Sequence, residues 1–268
     1  MQKIEKRENY ILDFSHVYPD DIEKKVLRLH RIDCSDIQGT DLYVTPQAAE
    51  KIRERIRPYG IHGIHFLDNG NYHYVTGIIT ERIKTPYVLF LFDHHTDMQR
   101  PMIHDLVSCG SWAGEMLRRR SMLKQLVLIG PSSAQITHLP EEMKKKVLCI
   151  SMQKLESEEA GQAFGLIRND LPAYISIDKD VLDRSCARTN WDQGSMNLAM
   201  LGRIVKETFH HHRVIGVDIC GECSLQEPAG ELAEDLKIDE HTDERSIFIE
   251  VSLSLKRPFL TGFSRWIR

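Results

Sequence analysis

The sequence predicts an α/β protein of three layers, αβα, in which helices cover both faces of a mainly parallel central sheet. The clearest observation is the apolar run from Tyr87 to Phe92, because a strand buried on both faces of a parallel sheet shows no alternation of apolar and polar residues. Further runs of this kind alternate with helical patterns of about ten or more residues. Ligand-type residues follow the apolar run directly, at the edge of an open sheet where ligands bind. We expect one domain over residues 1–268.

The individual elements follow from local signals. Thr45 and Pro46 supply an N-cap and a first helical residue, so we expect a helix from there to about Arg57. Strands are expected at 9–16, 63–67, 125–130, 147–151, 174–178 and 214–219, and helices after 18–21 and at 74–82, 112–120, 154–167 and 198–209. Residues 227–239 are expected to form a flexible surface segment, and periodicity leaves 246–255 open between helix and strand.

Composition excludes several classes of protein. The chain has 268 residues and a formal net charge of −4, which argues against a nucleic-acid-binding surface. Residues 1–9 are charged, no apolar signal-peptide segment follows, and no stretch approaches the length of a transmembrane helix. We therefore expect a cytoplasmic protein that binds neither nucleic acid nor membrane.

The cysteines are scattered along the chain, at positions 34, 109, 149, 186, 220 and 223. This spacing predicts reduced thiols rather than a disulfide framework. Cys220 and Cys223 form a lone CxxC motif, and a redox or zinc role is the less favoured alternative because no second pair accompanies it.

Two strand ends carry residues that could bind a metal. Asp93, His95 and Asp97 follow the first apolar run, and side chains that alternate along an extended chain would place them on one side. Asp178 and Asp180 follow the run that begins at Ala173. Carboxylates this close together are costly unless a cation balances them. A capping or surface cluster is the alternative for one such strand end, but it explains two of them less well.

These motifs resemble the signature of the arginase, agmatinase and formiminoglutamase family, the ureohydrolases. The corresponding segments are Gly70-Asn71-Tyr72-His73, Asp93-His94-His95-Thr96-Asp97, the run from Ser176 to Asp183, and the run from Asp218 to Glu222. The chain departs from the family pattern at His94, at Arg184 and in the spacing of Glu222. The proton-transfer histidine of family arginases has no clear match, and His104 is the only histidine on the loop after the first motif.

The resemblance implies an arginase- and deacetylase-like fold with two Mn²⁺ ions per chain. His73 and Asp97 would hold one ion, His95 and Asp180 the other, and Asp93 and Asp178 would bridge them. Four aspartates balance two divalent ions, and an oxygen-rich set of ligands with two imidazoles favours Mn²⁺ over zinc.

The implied function is hydrolysis of a C–N bond in a linear amidine or guanidine. Water bridging two cations loses much of its pKa and becomes a nucleophile near neutral pH. Asp180 would relay the proton, and Glu222 would pair with the substrate cation. Candidate substrates are arginine, agmatine, formiminoglutamate and an arginine side chain of a peptide. Further candidate substrate contacts are Ser108, Gly110, Asn190 and Asp192.

Two other functions stay open. A zinc deacetylase of similar fold would use one metal ion and tandem histidines, and a non-catalytic relative would keep the metal for binding or stability. Proteins of this kind commonly form homo-oligomers, although the sequence carries no interface signature.

Several other residues have alternative interpretations. Asp218 could support a metal ligand or stabilise a turn. Trp112 and Trp191 could line a pocket or belong to the core. We expect His62 and His65 to pack in the protein, and His210 to His212 to be solvated at a helix end.

Overall fold

The computed structural model describes residues 8–18, 22–25, 29–101, 103 and 106–222. The strands are β1 (Asn9–Asp13), β2 (Leu29–Asp33), β3 (Tyr43–Val44), β4 (Ile64–Phe66), β5 (Tyr87–Phe92), β6 (Val107–Ser108), β7 (Leu123–Ile129), β8 (Val147–Ile150), β9 (Ala173–Asp178) and β10 (Val214–Cys220). The helices are α1 (Ile22–Lys25), α2 (Pro46–Ile56), α3 (Val75–Thr80), α4 (Trp112–Arg119), α5 (Ser133–Thr137), α6 (Glu141–Lys144), α7 (Met152–Leu155), α8 (Ala160–Phe164) and α9 (Leu198–His211). Within this part of the chain, none of the helices combines the length and hydropathy needed to cross a membrane.

Eight strands form one sheet in the order β2-β1-β4-β10-β9-β5-β7-β8, and every neighbouring pair is parallel. Strands β3 and β6 form a separate antiparallel pair. The parallel sheet predicted from the apolar runs is therefore confirmed.

Alternation along the central strands divides the interior into two cores. Leu89 and Leu91 of β5 pack in the core that also holds residues of α2, α3 and α4. Val88 and Phe90 belong to the other core, with residues of α7, α8 and α9. Because successive side chains of a strand point to opposite faces, each face of the sheet is covered by helices. This arrangement confirms the three-layer αβα prediction.

Local hydrogen bonds explain where the elements differ from expectation. The predicted helix over 154–167 was wrong, because the chain forms two short helices, α7 and α8. The Ser157 hydroxyl donates to the Lys154 carbonyl and accepts from the Glu159 amide, so it ends the first helix and leads into the second. Strand β2 and helices α5 and α6 had no sequence prediction.

Some predictions fall on residues that the structure does not describe. These are the flexible segment at 227–239, the element at 246–255, and the positions of His104 and Cys223. The prediction of a single domain over residues 1–268 also extends past residue 222 and stays a prediction.

The order of the central strands positions the functional site. Strands β4, β10, β9 and β5 are neighbours in the sheet although they are far apart in the sequence. Since all are parallel, their carboxyl ends meet at one edge, where open α/β sheets bind ligands. The candidate metal ligands and Glu222 lie at or just after the ends of these four strands.

Candidate metal centre

Asp93 lies at the middle of a cluster of metal-type ligands. Its Oδ2 atom is 3.4 Å from Nδ1 of His73, and its Oδ1 atom is 3.7 Å from Nδ1 of His95. The ligand atoms of His73, Asp93 and Asp97 lie within 4.8 Å of one another, and so do those of Asp93, His95 and Asp180. The cluster thus contains two groups of three ligands that share Asp93.

Asp178 lies on the His73 side of the cluster. Its Oδ2 atom is 3.3 Å from His73 Nδ1, and its Oδ1 atom accepts a hydrogen bond from the Asp180 amide at 2.9 Å. His73, Asp178 and Cys220 form a third group of possible ligands. The sequence interpretation considered Cys220 only as part of a CxxC motif and did not place it in this cluster, although its position at the end of β10 could have indicated it. Burial raises the pKa of the Cys220 thiol well above its usual value.

The segment from Asp93 to Asp97 is not an extended strand, contrary to the alternation assumed from the sequence. Strand β5 ends at Phe92, and Asp97 has a left-handed backbone with φ of 51°. The Trp112 indole donates to Asp97 Oδ2 at 2.6 Å and thereby orients this carboxylate. On the other side, the His95 ring lies 2.8 Å from Asp180 Oδ2. A change of backbone direction after β5, rather than alternation along a strand, therefore brings the side chains of Asp93, His95 and Asp97 together.

A chain of hydrogen bonds orients the His73 ring through its Nε2 atom, while Nδ1 faces the aspartates. His73 Nε2 lies 3.0 Å from the Ser176 hydroxyl, and that hydroxyl donates to Asp218 Oδ1 at 2.6 Å. Thr76 also donates to Asp218 Oδ1, at 3.0 Å. Of the two interpretations of Asp218, these hydrogen bonds favour support of His73, a candidate ligand. Such outer contacts fix the orientation of ligating histidines.

Asp68 joins three parts of the chain around the site. Its carboxylate accepts hydrogen bonds from the amides of Phe14 and Ser15, at the end of β1. Its carbonyl accepts from the amides of Gly221 and Glu222, at the end of β10. The turn that carries His73 follows directly, as a 3-10 helix at Gly70–Tyr72. Asp68 therefore ties this turn to two neighbouring strands.

The negative charges of the aspartates repel one another when no cation is present. Burial and the charges of Asp97 and Asp180 raise the pKa of Asp93 well above its usual value. Burial, together with the charge of Asp180, raises the pKa of Asp178 to about 7. These shifts reflect several carboxylates crowded in a buried space.

The pKa values of the two imidazoles are raised as well, which favours their protonated, positively charged form. Burial alone would lower the pKa of His73, but its contacts with Asp93 and Asp97 raise it well above its usual value. Burial would also lower the pKa of His95, but Asp180 raises it to about 9. In the metal-free protein, protons on the ligands therefore offset part of the negative charge.

The residues present fit a pair of divalent cations. Asp93 Oδ2 is buried and accepts no hydrogen bond from the described residues, which leaves a carboxylate oxygen available at the centre of the cluster. Four carboxylates and two imidazoles provide the hard and borderline ligands that Mn²⁺ accepts.

Glu222 and Lys179 form a buried ion pair beside the cluster. Lys179 Nζ lies 2.6 Å from Glu222 Oε2, and both side chains are largely buried. The sequence interpretation assigned Glu222 to a substrate cation and did not consider Lys179. The carboxylate of Glu222, which was expected to bind a cationic substrate, thus contacts the ammonium group of Lys179 instead.

Three of the other candidate substrate residues form hydrogen bonds with neighbouring loop residues. Asn190 accepts from the Gly70 amide at 3.2 Å and donates to Asn71 at 3.0 Å, so its side chain binds the His73 turn. The Ser108 hydroxyl donates to Ser111, and Gly110 accepts from the Gln99 amide. Asp192 is exposed.

The histidines outside the motifs have other partners. His65 stacks on Tyr10 at 4.1 Å and its ring contacts the Tyr174 hydroxyl, so it packs in the core as expected. His212 is buried against Phe90 and the Leu171 carbonyl, whereas the sequence had suggested a solvated residue. The expectation of solvent exposure holds for His210 and His211.

Known proteins with this fold include amidino-group hydrolases. The formimidoylglutamase of Bacillus subtilis superposes with a TM-score of 0.67 at 17% identity, over 96% of this chain and 90% of that one. The proclavaminate amidino hydrolase of Streptomyces clavuligerus gives 0.65 at 13% identity, over 93% of each chain. The Trypanosoma cruzi formiminoglutamase solved with Mn²⁺ gives 0.64 at 14% identity, over 96% and 97%. At these identities the likeness shows a shared fold.

Sequence comparison identifies the family. A Thermotoga maritima protein described as uncharacterized is 29% identical over 215 residues, which cover 80% of this chain and 79% of that protein. The model of the arginase family matches residues 10–224, the part of the chain that carries every candidate ligand described above. The chain therefore belongs to the arginase family.

Proposed function

We propose that this chain is a metal-dependent hydrolase that cleaves a C–N bond of a linear amidine or guanidine. The observation that carries the proposal is the pair of three-ligand groups that share Asp93. Membership of the arginase family supports the reaction class. The names of the structural neighbours, formimidoylglutamase and amidino hydrolase, support the substrate class.

The proposed cofactor is a pair of Mn²⁺ ions. His73 and Asp97 would hold one ion, and His95 and Asp180 the other, with Asp93 shared between them. Asp178 contacts His73 and would bind on that side. Two such cations, when bound, polarise a substrate and lower the pKa of water.

The protein's own groups would orient the substrate and move the proton. We assign the proton relay to Asp180, whose Oδ2 atom contacts His95 on the more exposed side of the cluster. Burial of the other ligands excludes bulk water. A substrate cation that approached Glu222 would have to share this carboxylate with Lys179.

Metal counting and product analysis test this function. Purified protein would be stripped of metal, loaded with Mn²⁺, and assayed with guanidino and formimino compounds for urea, ammonia and formamide. We expect two manganese ions per chain and turnover of at least one compound. One zinc per chain would support the deacetylase alternative, and two bound metals without any product would support a binding protein.

A matched pair of variants links the metal to the activity. Asp93→Asn should lose metal and turnover together, because Asp93 is shared by both ligand groups. Asp183→Asn removes a carboxylate that bonds only locally, to the Ser185 amide among the described contacts, and should retain both properties. Full metal content in Asp93→Asn would contradict the proposed centre.

A further inference from the structure

The cluster of candidate metal ligands is exposed to solvent mainly at His95. The His95 side chain is 26% exposed, whereas the side chains of the other five candidate ligands are at most 8% exposed. A small molecule must therefore approach the cluster past His95. The side chains next to the His95 imidazole are therefore the first that an approaching substrate contacts.

Trp191 stands beside His95 at this opening. The two ring centroids are 5.9 Å apart, and the ring planes meet at 74°. Trp191 is 37% exposed, and it is the one aromatic residue among the large hydrophobic side chains that the described part of the chain leaves exposed. Perpendicular rings cover at most one face of the indole, so aromatic surface remains available at the opening.

The indole is held in place by the turn that carries His73. Trp191 Nε1 donates to Asn71 Oδ1 at 2.9 Å, and Asn190 donates to the same oxygen at 3.0 Å. A Cβ atom at Gly70 would lie 2.5 Å from the indole, so this turn has a glycine where the ring packs. Because the indole N–H is already bonded, the surface that Trp191 offers to a ligand is its π face.

The buried carboxylates at this edge of the sheet already have cationic partners. Four aspartates contact the two imidazoles of the proposed metal centre, and Glu222 pairs with Lys179. A planar amidinium or guanidinium at the opening would thus meet the indole of Trp191 together with the exposed side chain of Asp192, which is next to it in the chain. The face of an indole is the strongest aromatic partner for a cation, and planar guanidinium groups stack on it.

We propose that Trp191 is a substrate-binding residue that recognises the planar cationic group of the substrate at the mouth of the metal centre. Asn71 and Asn190 are positioning residues that hold the indole against the Gly70 turn. This inference rests on the proposed function, because it assumes that the ligand approaches the metal cluster.

A pair of probes with the same shape and different charge tests the inference. Methylguanidinium is a cation and methylurea is neutral, and both carry a methyl group visible by proton NMR. Mn²⁺ bound to the protein broadens the methyl signal of any probe that binds beside it, so the affinity is measured without turnover. Mn²⁺ affinity would be titrated in parallel for every variant.

Three variants separate recognition from packing. Trp191→Leu should weaken methylguanidinium binding by about tenfold, because it removes the aromatic face, while Mn²⁺ affinity and methylurea binding stay the same. Trp191→Phe keeps a smaller face and should lose about threefold or less. Leu166→Ala alters an exposed hydrophobic residue, 67% accessible, that has no contact with the cluster, and should change nothing.

The possible results decide the inference separately from the proposed function. The inference is overturned if Trp191→Leu binds methylguanidinium as the wild type does, if it loses both probes together with Mn²⁺, or if the wild type broadens neither probe. Turnover in the product assay alongside such a result would leave the hydrolase proposal intact. Selective loss of the cationic probe without turnover of any compound would support Trp191 and count against the hydrolase.

Discussion

Lys179 Nζ lies 2.6 Å from Glu222 Oε2, and the two side chains are 11% and 8% exposed. Lys179 is in the sequence between two candidate ligands, Asp178 and Asp180, while Glu222 follows the neighbouring strand β10. The pair therefore links the carboxyl ends of β9 and β10 and places a positive charge within a strongly negative region.

We expect loss of Lys179 to destabilise the metal-free protein more than loss of Glu222. Lys179→Met removes the positive charge that contacts Glu222 beside the aspartates and should cost about 3 kcal/mol or more of the free energy of unfolding. Glu222→Gln should cost less, because it removes a negative charge from a region that already holds several carboxylates. The double variant should show a coupling energy of about 1 to 3 kcal/mol in urea unfolding.

The exposed pair Lys144 and Glu141 provides the control, with side chains 43% and 85% accessible. The same cycle there should give a coupling energy of about 0.5 kcal/mol or less. A coupling at Lys179 and Glu222 no larger than this would contradict the role assigned to the buried pair.

Ser176 is expected to control metal affinity through His73. Ser176→Ala breaks the hydrogen-bonded chain from His73 to Asp218, and loss of an outer contact of this kind lowers metal affinity by roughly 10- to 100-fold. Titration of the metal-free variant with Mn²⁺ measures the effect.

Ser151→Ala is the matched control for this variant. Ser151 is buried and caps α7 without contact to any candidate ligand. Its loss should cost about 1 kcal/mol of stability and leave Mn²⁺ affinity unchanged. Equal metal affinities for the two variants would rule out an orienting role for Ser176.

Gly221 is expected to be required for the position of Asp178. Its φ is 92°, and a Cβ atom there would lie 2.5 Å from Asp178 Oδ1. Gly221→Ala should therefore destabilise the protein by about 1 kcal/mol or more and weaken Mn²⁺ binding, as thermal unfolding with and without metal would record.

Gly161→Ala tests the same substitution at an open position. No atom lies within 4 Å of a Cβ at Gly161, inside α8, so alanine there should raise stability by about 0.5 to 1 kcal/mol. If Gly221→Ala behaved in the same way, the close approach to Asp178 would not constrain the site.

The metal-free protein should become less stable as the pH rises. The folded-state pKa of Asp178 is about 7, above the ordinary value of about 3.9, so its protonated form stabilises the fold at low pH and this contribution is lost between those values. The pKa of His95 is raised to about 9, so its contribution is present below about pH 6.5 and is lost as the pH approaches 9.

Mn²⁺ should reverse this trend, because metal ligands bind in their deprotonated forms. The increase in the midpoint of thermal unfolding on adding Mn²⁺ should therefore grow from about pH 5 to pH 9. In Asp178→Asn, the metal-free stability should depend less on pH below about 7. Metal-free stability that rises over this range would contradict the proton distribution described for the cluster.

Local sequence signals determined the layers and the position of the candidate ligands. The continuous apolar run of β5 predicted a buried parallel strand, and Thr45 with Pro46 predicted the start of α2. The motifs at Asp93 and Asp178 lie where strands end, because polar side chains that follow a buried strand must leave the apolar interior. Each of these signals depends on residues near one another in the chain.

Only the tertiary structure decided how the groups meet. The order β4-β10-β9-β5 brings His73 to Ser176 and Glu222 to Lys179, and a left-handed turn at Asp97 replaces the assumed extended chain. These contacts join residues more than 40 positions apart or depend on a single backbone angle. Periodicity and capping signals describe neighbouring residues only. The types of ligand could therefore be predicted from the sequence. The residues that orient His73 and pair with Glu222 could not, because they are distant in the chain.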